Sequence, residues 1–368
     1  MAIPVQQKKL IRILSLDGGG IKGIITGKVL EGLETELNEE YENRNNKKPD
    51  RPLRLAQCFD FIAGTSTGGI LTSLLLCPES KDSKYPKYSA TEAVALYIEH
   101  GREIFKPSYS GLLPGLFNGI FGAKYGNKNI EQLLKQFLGD LRLKDMILPC
   151  LIASYDIERR CAVFFTSADA VVDPASDFPM WQVARSTSAA PTYFPPAMAE
   201  SGAPQPTPPV NTNNLYHNID GGLFANNPTM CALVECVKLF QTTDSTGTKH
   251  LRFLDDFFVL SIGTGTVEKS YPFDKAVNWG VLKWLKPIIS IMMSAVSETV
   301  DYQLNKLYQM MRTEGQYFRI KPALGNADSE MDNVTPENML ALFNAGAQSA
   351  YENQILLTTI ANILLDNN

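Results

Sequence analysis

The first 75 residues contain one local pattern twice: a short apolar run ends in a glycine-rich turn, and a helix follows. The run Ile11–Leu16 ends before three glycines, and helical spacing of apolar residues extends from residue 21 to about residue 37. A second run, CFDFIAGT (58–65), leads through STGG into ILTSLLLC. Short continuous apolar runs are typical of buried parallel strands, which helices connect. The sequence therefore predicts an α/β fold of three layers, with a mainly parallel central sheet flanked by helices.

Strand and helix patterns alternate along the rest of the chain. LPCLIASYD, AVFFTS, LYHNI and FFVLSIGTGT have strand character, whereas NIEQLLKQFLG, PMWQVARSTSAA, residues 287–311 and the last thirty or so residues have helical character. Ser89 and Glu92 have the spacing of a capping box, and the polar stretch 38–52 predicts a loop. No linker divides the chain. We expect one domain over 1–368, with a motif-bearing core at about 11–266 and a mainly helical portion at about 267–368 packed onto it.

Charge and composition argue against several classes of protein. The 368 residues carry a net charge of −5, whereas a general nucleic-acid-binding protein needs a basic surface. The six cysteines lack the Cys/His spacing of a zinc site, and we expect neither a metal nor a cofactor. The apolar stretches fall short of the roughly 20 residues of a membrane span, and the N-terminus lacks the apolar region of a secretion signal. We therefore expect a cytoplasmic protein with transient, peripheral membrane association.

The residues GTSTG at 64–68 match the G-x-S-x-G pattern between a predicted strand and a predicted helix. In this context the pattern is typical of a nucleophile elbow, in which the small residues Gly64 and Gly68 permit a sharp turn that exposes the serine hydroxyl. The turn would also place Ser66 at a helix N-terminus, which favours developing negative charge. The alternative is that Ser66 only caps the helix, as serine commonly does.

A serine nucleophile needs a general base, and the chain has only three histidines. His100 precedes a glycine at a predicted helix end and His250 lies in a polar stretch, so His217 is the only histidine that we consider. Asp220 is the better candidate, because it ends a predicted strand and two glycines follow it. A carboxylate can act as the base if it is hydrogen-bonded to the serine and partly desolvated. Taken alone, Asp220 also fits a turn aspartate that caps its own loop.

The first glycine-rich turn has two interpretations. Gly18, Gly20 and Gly23 match G-x-G-x-x-G, the phosphate-binding fingerprint of dinucleotide-binding proteins. Such a site also needs an acidic residue about 20 residues further on, at the end of a second strand. This chain has a polar stretch without a strand there, and no G-K-[ST] completes a Walker loop. In either interpretation, glycine lets backbone N–H groups face negative charge near a helix N-terminus.

Five motifs in order, DGGGIKG, GTSTG, ARSTSAAPTYFPP, DGG and SIGTGT, together resemble the patatin-like phospholipases, from about residue 11 to about residue 266. The resemblance implies a lipid acyl hydrolase with a Ser–Asp dyad, which on this chain is Ser66 as nucleophile and Asp220 as general base. It also implies an oxyanion hole with backbone donors drawn from Gly18, Gly19, Gly20 and Thr67. The family carries Lys or Arg where Lys22 stands. Its role stays open between orienting the loop, contacting an anionic head group and being solvated.

The resemblance also implies esters of glycerophospholipids, lysophospholipids or galactolipids as substrates. The apolar segment 109–126 is either a cover over an acyl groove, a loop that touches a membrane, or a segment buried in the core or in an interface. Core packing best explains the apolar face of PIISIMMSAVSETVDYQ, with a homodimer as the alternative. A regulatory ligand such as a cyclic nucleotide, acyl transfer to an acceptor other than water, and lipid binding without activity also stay open.

Overall fold

The computed structural model describes residues 9–107, 123–203, 214–243, 249–266 and 270–366. Its strands lie at Ile11–Leu16 (β1), Phe61–Thr65 (β2), Cys150–Asp156 (β3), Cys161–Thr166 (β4), Ala197–Glu200 (β5), Leu215–Asp220 (β6), Thr242–Thr243 (β7), Lys249–His250 (β8), Phe257–Ile262 (β9) and Tyr317–Ile320 (β10). Its α-helices lie at Gly23–Asn45 (α1), Leu55–Cys58 (α2), Thr67–Leu75 (α3), Ala90–Ile104 (α4), Lys128–Leu138 (α5), Ser167–Val172 (α6), Met180–Thr187 (α7), Gly222–Ala225 (α8), Thr229–Leu239 (α9), Phe273–Ala276 (α10), Val281–Met311 (α11), Pro336–Glu352 (α12) and Gln354–Asp366 (α13).

The central sheet has the strand order β10-β9-β1-β2-β3-β6-β5, with β4 also paired to β3. The five strands from β10 to β3 are parallel to one another. Antiparallel pairs join β3 to β4, β3 to β6 and β6 to β5. The expected α/β fold is confirmed, and the sheet is mixed because of these antiparallel pairs at one side.

Helices cover both faces of the sheet, as the burial of alternate strand residues shows. Leu14 and Ile62 belong to a cluster of buried side chains that includes residues of α1, α3 and α13. Ile13 and Ala63 belong to a second cluster, which includes residues of α9 and α11. Successive strand residues point to opposite faces, so a strand that is buried on both faces has a continuous apolar sequence.

The C-terminal helices pack directly on the N-terminal part of the chain. The larger buried cluster contains residues from Leu14 to Leu364, and α1 packs against both α12 and α13. This continuity supports the expectation of a single domain, which stays a prediction. No helix within the described ranges is long and apolar enough to cross a membrane. Of the segment 109–126, residues 109–122 lie outside the described part of the chain.

Some elements differ from the sequence-based expectation. Helix α1 extends to Asn45 through a polar stretch that predicted a loop, and Arg44 near its end forms hydrogen bonds with Asn362 and Asp366 of α13. Helix α11 begins at Val281, ahead of the expected start at Pro287, which lies inside the helix. Strands β5 and β10 were not predicted, because runs of four residues are too short for a periodic signal.

Candidate active site

Strand register brings three sequence motifs together at one edge of the sheet. β1 and β2 are adjacent and parallel, so the loop after β1, residues 17–20 (the glycine loop), lies beside the turn at Ser66. β6 pairs with only the last three residues of β3, which places Asp220 opposite Ser154. Ser154 follows Ala153, the partner of Thr65 at the end of β2. Asp220 therefore lies one residue beyond the end of β2, at the level of Ser66.

Ser66 occupies a sharp turn between β2 and α3, with φ of 56° and ψ of −123°. A positive φ is strained for a residue that carries a side chain. Ser66 is the N-cap residue of α3, but its side chain makes no capping hydrogen bond. Its hydroxyl instead donates to Oδ2 of Asp220 over 2.6 Å. The interpretation of Ser66 as only a helix cap is therefore wrong.

The two glycines of this turn stand where backbone segments approach very closely. A Cβ added to Gly64 would lie 2.2 Å from the carbonyl oxygen of Gly68. One added to Gly68 would lie 2.2 Å from the carbonyl oxygen of Leu16 in β1. Both distances are far shorter than a van der Waals contact, so the turn requires glycine at both positions.

Asp220 is buried, and both of its carboxylate oxygens accept hydrogen bonds. Oδ2 accepts the Ser66 hydroxyl, and Oδ1 accepts the backbone N–H of Gly222 over 2.7 Å. Burial raises the pKa of Asp220 to about 7, although these two hydrogen bonds and the charge of Arg185 favour the carboxylate. Asp220 is therefore a stronger base than an aspartate in water, and its carboxylate form predominates above neutral pH.

The block ARSTSAAPTYFPP (184–196) forms hydrogen bonds with the backbone of Ser66 and of Asp220. Oγ1 of Thr187 accepts the N–H of Ser66 over 2.8 Å and donates to the carbonyl oxygen of Ala153 over 2.6 Å. The carbonyl oxygen of Ala189 accepts the N–H of Asp220 over 3.0 Å. Sequence reasoning singled out this block but gave Thr187 and Ala189 no role, because only the folded chain places them against the turn.

The glycine loop lies against Ser66, since a Cβ added to Gly18 would be 3.0 Å from that of the serine. The N–H of Gly18 donates to the carbonyl oxygen of Asn226 over 3.0 Å. The N–H groups of Gly19 and Gly20 donate to no acceptor within the described ranges. Of the three glycines expected as oxyanion donors, Gly18 therefore has its N–H group engaged within the protein, whereas those of Gly19 and Gly20 are not engaged within the described ranges. Their role as oxyanion donors stays a prediction.

Residues far along the chain anchor the base of the glycine loop. Arg319, in β10, forms a two-point ion pair with Asp17, with N···O distances of 2.5 and 2.7 Å, and both side chains are nearly buried. Oγ1 of Thr264 donates to the carbonyl oxygen of Gly18 over 2.8 Å. The SIGTGT motif thus holds the loop. Sequence reasoning missed Arg319, because no local pattern distinguishes it from other strand residues.

Gly20 turns the chain from the loop into the first helix with φ of 61°. A Cβ here would lie 2.3 Å from the carbonyl oxygen of Met331, so both the conformation and the contact require glycine. Gly20 lines a narrow cleft together with Ser66 and Thr67. Thr67 is the first residue of α3, and N–H groups in the first turn of a helix have no partner within the helix.

Two cavities adjoin the glycine loop. The cleft at Ser66 has a volume of about 40 Å³, and its other walls are mainly apolar, among them Ile70, Tyr97, Phe105 and Phe194. A larger cavity of about 570 Å³ is lined by Gly18, Gly19 and several charged side chains. Tyr193 and Met331 line both cavities, so these adjoin each other.

Lys22 lines the larger cavity and is only 6% exposed. Burial lowers the pKa of Lys22 to about 8, whereas the charges of Glu330 and Asp328 oppose this shift. Its ammonium group forms no hydrogen bond or ion pair with any residue that the structure describes. The stem of Lys22 is thus buried while the residue lines the cavity, and contact with an anion, loop orientation and solvation within the cavity stay open as its role.

The histidines stand apart from this site. His217 lies three residues before Asp220 in β6, which places it on the opposite face of the strand, and its Nδ1 is 3.0 Å from Oε2 of Glu158. His100 is 3.6 Å from Glu103, and His250 is exposed in β8. No group of three or more His, Cys, Asp or Glu side chains that could hold a metal occurs in the described part of the chain.

Comparison with known proteins places this geometry in a family. The profile of the patatin-like phospholipase family matches residues 14–233. Patatin-like protein 1 of Arabidopsis thaliana is 35% identical over 350 residues, covering 92% of this chain and 80% of the relative. Patatin group D-2 of Solanum tuberosum is 33% identical over 345 residues, covering 92% of this chain and 83% of the relative. Probable inactive patatin-3-Kuras 1 of Solanum tuberosum is 31% identical over 346 residues, covering 92% and 86%.

The three-layer fold and these matches define the general class as lipid acyl hydrolases. More particularly, the chain belongs to the patatin-like phospholipase family, as its motifs predicted. Family membership supports lipid acyl hydrolase activity in general terms. Since one relative of similar identity has the word inactive in its name, any claim about mechanism must rest on the residues of this chain.

Replacing Asp220 with Asn should stabilise the folded protein at pH 8 by up to about 4 kcal/mol. The pKa of Asp220 rises from 3.8 to about 7 on folding, so the wild-type carboxyl group lowers stability as the pH rises between these values, and the loss is complete above pH 7. An amide oxygen can still accept the N–H of Gly222, and the amide NH₂ can donate to Ser66. Chemical unfolding at pH 5 and at pH 8 should show a smaller gain in the free energy of unfolding at pH 5 than at pH 8. No gain at pH 8 would contradict a buried, charged carboxylate.

Proposed function

We propose that the protein hydrolyses fatty-acyl esters of glycerophospholipids, as a phospholipase A or lysophospholipase does, through an acyl-enzyme on Ser66. Asp220 acts as the general base, and N–H groups of Gly19, Gly20 and Thr67 form the oxyanion hole. One observation carries the proposal: the buried hydrogen bond of 2.6 Å from the Ser66 hydroxyl to Asp220, beside a glycine loop with N–H groups to offer.

In the first step, Oδ2 of Asp220 takes the hydroxyl proton while Oγ of Ser66 bonds to the ester carbonyl carbon. The hydroxyl already donates to this oxygen, so proton transfer needs no rearrangement. The carbonyl oxygen becomes an oxyanion near the N-terminus of α3, where the glycine N–H groups and the helix dipole stabilise it. Losing one such donor costs about 2.7–4 kcal/mol of transition-state stabilisation in another serine enzyme. The intermediate collapses, and the alcohol leaves with the proton from Asp220.

In the second step, water occupies the place of the departed alcohol. Asp220 takes one of its protons as the water oxygen adds to the acyl carbon, and the same oxyanion hole binds the new tetrahedral intermediate. Collapse breaks the bond to Oγ of Ser66, releases the fatty acid and returns the proton to the serine. A base with a pKa of about 7 suits both steps, because it can accept and return a proton near neutral pH.

The two cavities suggest how a substrate divides between them. The apolar walls of the cleft at Ser66 suit an acyl chain, although its volume of about 40 Å³ requires wall side chains such as Phe105 to move when a chain binds. The larger, charged cavity suits the head group. There the ammonium of Lys22 can pair with a phosphate, which favours phosphate-bearing lipids over galactolipids.

Ser66→Ala and Asp220→Asn should each lower kcat/KM for phospholipid hydrolysis by at least about 10³-fold, because each removes one half of the proposed dyad. His217→Ala, on the same strand as Asp220, is the matched control and should stay active. Mass spectrometry of products from a panel of phospholipids, lysophospholipids and galactolipids measures the release of fatty acid and separates hydrolysis from acyl transfer. Turnover retained by Asp220→Asn would exclude the dyad, and a loss in His217→Ala equal to that in Ser66→Ala would restore a triad.

Lys22→Met should lower kcat/KM about tenfold or more for a lysophospholipid, since it removes a buried charge-assisted contact with phosphate. It should leave kcat/KM unchanged for a monoacylglycerol with the same acyl chain, which has no phosphate. Lys321→Met is the matched control, because Lys321 lines the same cavity but already pairs with Asp301. Equal loss on both substrates would mean that Lys22 supports the glycine loop rather than recognising phosphate.

A further inference from the structure

A continuous stretch of the chain exposes large apolar side chains to solvent. In α10, the start of α11 and the turn between them, Phe273 is 83% exposed, Val281 is 85% exposed and Leu282 is 73% exposed. We call this the 273–292 surface. Its exposed apolar members are Phe273, Val277, Val281, Leu282, Leu285, Ile288, Ile291 and Met292. Contiguous exposed apolar surface of this kind is uncommon on monomeric proteins and marks a site of interaction.

Core packing accounts for only part of the apolar character of α11. Ile289 and Met293 are buried, as are Leu304 and Tyr308 further along the helix. The residues between them on the outer face stay exposed, and every residue from Val281 to Leu285 is exposed. Within the stretch 287–303, core packing explains Ile289 and Met293 but not the exposed Ile288, Ile291 and Met292. Residues 281–285 lie ahead of that stretch.

The composition of the 273–292 surface matches a lipid–water boundary. Trp279 and Trp284 of this surface are in ring contact, with centroids 5.1 Å apart. Trp279 also contacts Tyr271, which lies just before the surface, with centroids 5.5 Å apart. Tyr and Trp favour such boundaries, because each combines an apolar ring with a polar group. Residues 273–285 also contain two exposed lysines, Lys275 and Lys283, and a single aspartate, in a chain whose net charge is −5. This local positive charge is complementary to anionic lipid head groups.

The position of the surface connects it to the candidate active site. Leu282, Lys283 and Pro287 belong to this stretch and also line the larger cavity, which reaches Gly18 and Gly19 of the glycine loop. A lipid that leaves a bilayer at this surface therefore meets the cavity directly. A second copy of the chain seated here would instead cover this side of the cavity.

We propose that the 273–292 surface docks the protein onto anionic membranes, with its apolar side chains in the head-group region and Lys275 and Lys283 against anionic lipids. The proposed partner of the 273–292 surface is thus a lipid bilayer. This inference rests on the proposed function, since a membrane supplies the lipid substrate. The membrane contact considered for segment 109–126 stays a prediction, because residues 109–122 lie outside the described part of the chain.

The test measures binding separately from catalysis. Ser66→Ala protein is sedimented with phosphatidylcholine vesicles that contain or lack phosphatidylserine, with and without the added pair Phe273→Ser/Val281→Ser. These two residues do not line either cavity. The matched control is Leu340→Ser/Ile355→Ser, two residues that are 61% and 86% exposed on α12 and α13. We expect stronger binding with phosphatidylserine, about a tenfold or greater loss in the Phe273/Val281 pair, and no loss in the control pair.

Two results would overturn the docking proposal. One is vesicle binding by the Phe273/Val281 pair equal to that of its parent. The other is that the Phe273→Ser/Val281→Ser substitutions convert an oligomer to a monomer and leave vesicle binding unchanged. That result would assign the surface to a second copy of the chain. The Phe273→Ser/Val281→Ser variant that retains Ser66 should hydrolyse p-nitrophenyl butyrate at the wild-type rate. This control confirms that the variant is folded. Failure of the wild-type protein to cleave this soluble ester would count against the proposed function and leave the binding result intact.

Discussion

A buried hydrogen bond of 2.6 Å joins the Ser66 hydroxyl to the Asp220 carboxylate, and the structure around it holds two unfavourable features in place. One is a buried carboxyl group, whose pKa of about 7 reflects the loss of water around it. The other is a positive φ at a serine. The N–H of Gly222 and the charge of Arg185 offset the first, and Thr187 fixes the second through the serine N–H. Strain and perturbed pKa values of this kind cluster at functional sites.

The glycine loop depends on the last hundred residues as much as on its own sequence. Asp17 is paired with Arg319, 302 residues further along the chain, and Gly20 packs against the backbone of Met331. Because β10 pairs with β9, and β9 with β1, the C-terminal portion completes the sheet edge from which the loop emerges. The helical portion after residue 266 is thus part of what positions the candidate oxyanion donors.

Local patterns in the sequence predicted the strand–turn–helix units, the serine at the sharp turn and, by resemblance, the family. They could not predict the register that sets Asp220 opposite Ser154, because pairing between distant strands leaves no local signal. For the same reason Arg319, Thr187 and the extension of α1 through Arg44 were missed. Ile288, Ile291 and Met292 lie in a stretch that was expected to pack against the core, but they are exposed, because apolar periodicity is the same whether a helix face meets protein or solvent. Gly18 illustrates a further limit: a motif marks flexible backbone but does not show which N–H groups are already engaged.

Activation of Ser66 by Asp220 is the central claim, and the pH dependence of fluorophosphonate labelling tests it most directly. Labelling requires the same proton transfer as acylation but no lipid substrate, so membrane binding and head-group recognition do not enter. Intact-protein mass spectrometry would follow a single adduct, located at Ser66 by peptide analysis. The mechanism predicts a wild-type rate that rises with pH through about 7 and then levels off, and a slow rate without this rise in Asp220→Asn. An unchanged rate and pH profile in Asp220→Asn would contradict it.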